Sequence, residues 1–160
     1  MHVRTYICNV KLEEAIKTTT FSSEAQKAGL NILYTAWWLK TLVSKELKEF
    51  GLTHEQFNVL RILKGSHPEE MCVKDIGCRM IERNSNVPRI IDRLVAKHLV
   101  DRSTSNIDKR ETVIKLTTAG TDILAVATAK VNSLFSSGMA ITEADATQLN
   151  RLLELLRESE

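Results

Sequence analysis

The sequence predicts a mainly α-helical chain with one small β-hairpin. Apolar residues recur at helical spacing through most of its length, and the runs are separated by residues of the helix-capping type. One region alone changes period: "LVDRS" and "TVIKL" read as short strands on either side of the polar loop "TSNIDKRE". With 160 residues, 43% hydrophobic and 26% charged, the chain is expected to form one domain around an ordinary core.

Residues 1–23 read as irregular, with a short helix near Lys11–Thr18 and a break at "TTTFSSE". Ser23 then caps a long helix from Glu24 to Phe50, ended by Gly51. Its expected apolar side carries Ile32, Leu33, Ala36, Trp37, Val43 and Leu47. "THEQ" at Thr53–Gln56 matches a capping box and opens a second helix with Phe57, Leu60 and Leu63, which stops near Gly65. "SHPEE" is loop, and Val73–Met80 forms a short helix burying Val73, Ile76 and Met80. "ERNSN" turns into a further helix, Ser85–His98, and the hairpin follows. Thr117 caps a helix from Thr118 to about Phe135. "TEAD" at Thr142–Asp145 caps a last one, where Leu149, Leu152, Leu153, Leu155 and Leu156 cover more than one face.

Charge is unevenly spread. The net is only +2, but residues 61–115 hold twelve lysines and arginines against eight acidic residues, whereas residues 121–160 hold three against six. A basic centre suits a polyanion partner even when the whole chain is near neutral. No apolar run approaches the ~20 residues of a membrane span, and the N-terminus lacks the apolar core of a signal peptide. Cys8, Cys72 and Cys78 form no disulfide-scaffold pattern. A cytoplasmic protein with reduced thiols, no cofactor and no membrane association is expected.

The helix at Ser85–His98 carries the functional argument. Ser85 is expected to cap it, and Pro88 falls in the first turn, where a missing N–H costs little. Val87, Ile90, Ile91, Leu94, Val95 and His98 share one face. Arg89 and Arg93, four apart, share the other with Ser85, Asn86 and Ala96. Short helix, tight turn, basic helix and hairpin together make a winged helix-turn-helix. In that unit the second helix enters the major groove by its N-terminal end. Short polar side chains there approach base edges, and free N–H groups meet phosphate.

The segment "SNVPRIIDRLVAKHLVDR…DKRETVIKLTTAG" resembles the MarR family of winged-helix transcription regulators. Arg89–Leu94, Leu99–Val100, Asp108–Arg110 and Leu116–Gly120 match the family pattern in order and spacing. The likeness extends over about residues 24–158 and leaves out the first ~20. It implies a homodimer joined by N- and C-terminal helices and bound to a pseudo-palindromic double-stranded DNA operator. It further implies relief by a small phenolic or aromatic effector or by thiol oxidation. Residues 53–117 would be the winged helix-turn-helix lobe of a single domain spanning 1–160, with dimerisation helices in 1–50 and 118–160. The departures are Pro88 in place of a small polar residue, His98 in place of a common glycine, and an apolar Ile107 in the wing.

The expected DNA contacts are Asn84, Ser85, Asn86, Arg89 and Arg93, with Lys109 and Arg110 on the wing. Arginine pairs bidentately with guanine in the major groove and is drawn into a narrow minor groove. Asp108 is expected to orient the loop, because a carboxylate is repelled by phosphate. Tyr34 and Trp38, also four apart, are candidates to line an effector pocket; packing within a dimer is the alternative use for them. His67, Cys72 and Cys78 fit no standard zinc spacing, and Cys8 is read as an ordinary thiol. The four histidines are scattered and no phosphate loop or catalytic triad is present in the sequence, so no enzyme is expected. A dimeric helical adaptor that keeps the fold without binding DNA, and a thiol-based redox sensor, are the alternatives.

Overall fold

The computed structural model describes residues 10–82, 86–137 and 139–158. It divides into two units, Met1–His54 and Glu55–Glu160.

In the first unit α1 (Leu12–Ile16) precedes the long α2 (Glu24–Leu47), which tightens into a 3-10 turn at Lys48–Phe50. Ser23 caps α2 as expected, its hydroxyl accepting from Gln26 N at 3.1 Å. The end is a Schellman motif. Gly51 takes the left-handed position at φ 63°, Leu52 N donates to the Leu47 carbonyl, and Gly51 N donates to that of Lys48. Glycine meets that φ without the Cβ penalty other residues carry.

The expected apolar side of α2 is corrected along most of its length. Val43 and Leu47 are buried, but Leu33 and Trp37 are 69% and 61% exposed. Helical periodicity defines a face; it does not say whether anything within the same chain covers it. Trp37 rests against Tyr34 instead, ring centroids 5.7 Å apart.

In the second unit α3 (His54–Ser66) buries Phe57, Val59, Leu60 and Leu63. There follow β1 (Met71–Cys72), α4 (Val73–Arg79), α5 (Val87–Ala96), β2 (Val100–Thr104), β3 (Thr112–Leu116), α6 (Thr118–Ser137) and α7 (Glu143–Leu155). The predicted hairpin is β2–β3, in register from Val100 opposite Leu116 to Thr104 opposite Thr112. To it the structure adds β1, which pairs antiparallel with β3, Met71 opposite Ile114. The sheet is thus three-stranded, in the order β1-β3-β2. Two residues are too short to display a period of two, and nothing in the sequence sets β1 apart from a loop. Ile76, Ile91, Leu94 and Ile114 are fully buried and join α4, α5 and the sheet in one core. Val73, expected there too, is only half-buried.

Helix α5 ends two residues before the predicted His98, in a second Schellman motif. His98 N donates to the Val95 carbonyl at 2.8 Å and Leu99 N to that of Leu94 at 3.0 Å. His98 itself stands at φ 57°, the left-handed conformation that glycine adopts without strain. Thr117 caps α6, accepting from Gly120 N at 2.9 Å and donating to the His98 carbonyl at 2.9 Å. Thr142 caps α7, its hydroxyl accepting from Asp145 N at 3.2 Å.

No residue of α7 is buried: Leu149, Leu152 and Leu155 are exposed, as is Leu156 just past its end. Among the described residues no helix is long and apolar enough to cross a membrane.

Gly120 has no room for a side chain. A Cβ there would lie 2.0 Å from the Leu99 carbonyl oxygen, which also accepts from Thr117 N. Gly120→Ala should therefore destabilise the fold by about 1–3 kcal/mol, the usual range for overpacking a tight contact. Urea denaturation checks it; unchanged stability would mean that the Leu99 backbone moves aside freely.

Candidate DNA-binding surface

The capping residue of α5 is Asn86 rather than the expected Ser85: its side-chain oxygen accepts from Arg89 N at 3.3 Å. Both residue types cap well, and residue type alone does not fix which one faces the helix. Asn84 and Ser85 lie outside the described residues. With Asn86 as cap, Pro88 is the second helical residue. Pro88 has no N–H and that of Arg89 is taken by the cap. Among the described residues, Val87 N–H is the one first-turn amide left over for a phosphate. Of the free N–H groups expected at this end of the helix, that of Val87 therefore remains.

Val87, Ile91 and Leu94 of α5 are buried. Arg89 and Arg93, one turn apart, project from the opposite exposed side. Among the described residues no carboxylate pairs with either guanidinium. Asp92, which lies between them, instead forms an ion pair with Arg102 on β2. At the far end of α5, Lys97 Nζ donates to Gln56 Oε1 on α3 at 3.0 Å, and Gln56 is buried. The helix is thus tied to the wing at its middle and to α3 at its end. Neither tie is visible in the sequence, because both join residues at least ten positions apart.

The wing loop is braced from within. The buried Ser105 hydroxyl accepts from Ile107 N at 3.1 Å and Asp108 N at 3.2 Å. Asp108 accepts from Arg110 three times: backbone N at 2.9 Å, Nε at 3.2 Å and a terminal guanidinium nitrogen at 3.1 Å. Asp108 therefore orients the loop, as its charge suggested. The arginine's hydrogen bonds hold the Asp108 carboxyl below its usual pKa, and Asp108 in turn raises that of Arg110. Even so, the Arg110 side chain is 91% exposed. Lys109 is exposed beside it, and Ile107 stands fully in solvent.

The remaining candidates lie elsewhere. Tyr34 and Trp38 do line a common cavity, about 180 Å³, within the first unit. A second cleft of about 470 Å³, in the second unit, is lined by Arg61 and Lys64 of α3 and Leu124 and Thr128 of α6. Sequence reading misses it, since a gap between two helices leaves no periodic signal. Cys72 and Cys78 are free thiols. The Cys72 sulfur caps α4, accepting from Asp75 N at 3.4 Å. Cys8 lies outside the described residues.

Comparison with known proteins bears on this geometry. The MarR family model matches residues 52–112, from the start of α3 through the wing. The HTH-type transcriptional regulator MgrA of Staphylococcus aureus is 31% identical over 113 residues, 69% of this chain and 73% of that protein. The chain belongs to the MarR family. This MarR-family protein is a DNA-binding transcription regulator and not an enzyme. Solved structures share its winged-helix fold. A mutant MarR from E. coli in complex with operator DNA has a TM-score of 0.73 at 22% identity, over 87% of this chain and 99% of that one. An organohalide-sensing transcriptional regulator, in its 2,4-dichlorophenol-bound form, has a TM-score of 0.77 at 20% identity, over 98% and 89%.

The wing brace yields a pH prediction for this MarR-family chain. Asp108 is depressed in the folded state, so its stabilising contribution is fully present above the unfolded pKa and is lost as pH falls through the folded value. The loop should keep its order from neutral pH down through mild acid. In Arg110→Ala the Asp108 carboxyl should return toward the ordinary range. Carboxyl-carbon NMR titration checks both; an unshifted Asp108 in the wild type would mean that the brace is absent in solution.

Proposed function

We propose that the chain is a homodimeric repressor that binds a pseudo-palindromic operator and is released by a small aromatic or phenolic effector, acting in the cytoplasm. The observation that carries the DNA-binding mode is the pairing of exposed Arg89 and Arg93 on α5 with exposed Arg110 on a braced wing. In this reading α5 enters the major groove, where Asn84, Ser85 and Asn86 approach base edges with the two arginines. Lys109 and Arg110 lie along the adjacent minor groove. The lobe is residues 53–117. Helices within 1–50 and 118–160 join two copies, which supplies a cover for the exposed leucines of α7 and for Leu33 and Trp37 of α2. Tyr34 and Trp38 serve the effector, a use favoured by the cavity they share and by a fold neighbour solved with 2,4-dichlorophenol.

A salt titration on a selected operator and on random duplex tests the DNA-binding mode. Arg89→Ala or Arg93→Ala should cost ~1–3 kcal/mol on the operator and relax preference at one position per half-site. Arg110→Ala should weaken binding to both DNAs. It should also flatten the salt dependence, by roughly 0.9 log unit for each phosphate that is no longer neutralised. Three variants that bind both DNAs like wild type would turn the reading toward an adaptor that keeps the fold without using it on DNA.

Dimerisation has its own test. Removing residues 142–160 takes away the exposed leucines of α7 and should leave monomer or aggregate by light scattering. A well-folded dimer from that truncation would overturn the assignment of α7.

A further inference from the structure

The hairpin keeps its aliphatic side chains inside, with one exception. Val100, Val113, Ile114 and Leu116 are buried, whereas Ile107 at the tip is 99% exposed, more than any other large apolar residue among those described. The loop that carries it is closed on itself. Ser105 N donates to the Glu111 carbonyl at 2.9 Å, and Glu111 N to that of Asp108 at 2.9 Å. Ile107 N and Asp108 N share the Ser105 hydroxyl, and Arg110 N is taken by the Asp108 carboxylate. With these backbone donors satisfied inside it, the loop displays the isoleucine from a fixed backbone, so little ordering entropy is left to lose on binding.

Charge alone does not seat this loop on DNA. Between Thr104 and Thr112, Asp108 and Glu111 offset Lys109 and Arg110. A single exposed apolar residue is ordinary on most surfaces. Here it stands beside the basic side chains on the wing of a DNA-binding chain. Isoleucine has no group to hydrogen-bond to a base edge. What it offers is bulk, and in the minor groove bulk is informative. A·T and T·A pairs line the floor with acceptors only, while G·C adds the guanine 2-amino donor, which projects into the groove. Over an A·T step the isoleucine methyls lie between walls of deoxyribose carbon. Over G·C they meet the amino group, which then loses its water and gains no acceptor. Apolar wedges of this kind recur among minor-groove binders.

We propose that Ile107 is a specificity-determining residue: it seats in the operator minor groove and excludes G·C pairs beneath the wing. The proposal rests on the reading of the wing as a minor-groove contact. It divides the tip between Arg110, which supplies attraction, and Ile107, which supplies the choice of base pair.

The test compares three duplexes that share one selected operator core. They differ only in the pairs beneath the wing, located by hydroxyl-radical footprinting: A·T, G·C or inosine·C. Inosine lacks the 2-amino group of guanosine, so its pair keeps the G·C major-groove edge and presents no amino donor in the minor groove. Wild type should bind A·T and inosine·C alike and G·C at least ~5-fold more weakly, the lower bound for burying an unpaired donor. Ile107→Ala should bind the A·T duplex roughly 3- to 30-fold more weakly, in line with burial of part of an aliphatic side chain. It should separate A·T from G·C by less than ~2-fold, because the donor is no longer covered. Its salt dependence should parallel wild type, since no charge is removed. Ile107 is fully exposed, so thermal melting by circular dichroism should be unchanged in this variant. Arg110→Ala should weaken all three duplexes and flatten the salt dependence, yet keep the choice against G·C. The inference is overturned if wild type rejects inosine·C as it does G·C, if it binds all three alike, or if the choice persists in Ile107→Ala. With Arg110→Ala still flattening the salt dependence, those outcomes leave the wing on DNA. If neither variant changes binding to any duplex, the minor-groove reading of the wing falls, and this inference with it.

Discussion

The backbone of Leu99 is the joint on which the second unit turns. Its N–H closes the end of α5 on the Leu94 carbonyl, and its own carbonyl accepts from Thr117 at the start of α6. Gly120 packs against that carbonyl with no space for a methyl group. One residue therefore sets where α5 stops, where β2 begins and where α6 leaves the sheet. The left-handed turn at His98 brings Leu99 into position. The match at Leu116–Gly120 thus has a physical basis: Thr117 caps α6 and returns to the His98 carbonyl, and Gly120 permits the close approach.

The remaining ties serve α5. Asp92 faces Arg102 and Lys97 faces Gln56, so the charged residues on the flanks of the helix are engaged within the fold. Arg89 and Arg93 are left to the outer face. The apparent excess of charge in this segment is therefore divided between holding the helix and presenting it. In the wing Asp108 plays the holding part and Arg110 both parts, since it braces the loop and still stands in solvent.

Most of the fold is legible in the sequence because its punctuation is chemical. Ser23, Thr117 and Thr142 cap the helices they were expected to cap, and Gly51 ends α2. What fails to show is of three kinds. Strand β1 has two residues and no period. The stops at Lys17 and His98 are left-handed without glycine, so nothing in their residue type marks them. Trp37 and Leu33 have the spacing of a core and the exposure of a surface, because spacing is local and cover is not. At the candidate site, the outward arginines and the orienting role of Asp108 are legible from type and spacing. The pairing of Asp92 with Arg102 and the cleft between α3 and α6 depend on distances between separate segments, to which a linear reading has no access, and residue type alone does not choose Asn86 over Ser85 as the cap.

The central place of β3 has a mechanical consequence. It is hydrogen-bonded on one side to β2 and on the other to β1, and β1 runs directly into α4. The wing is therefore no free flap. To tilt it would mean shearing a sheet that is continuous with the helix-turn-helix itself, and Asp92–Arg102 resists the same motion from the α5 side. The base of the wing is thereby held against α4 and α5. In the proposed dimer, any adjustment to an operator with altered half-site spacing has to come from the way two stiff reading heads are hung, through elements outside them.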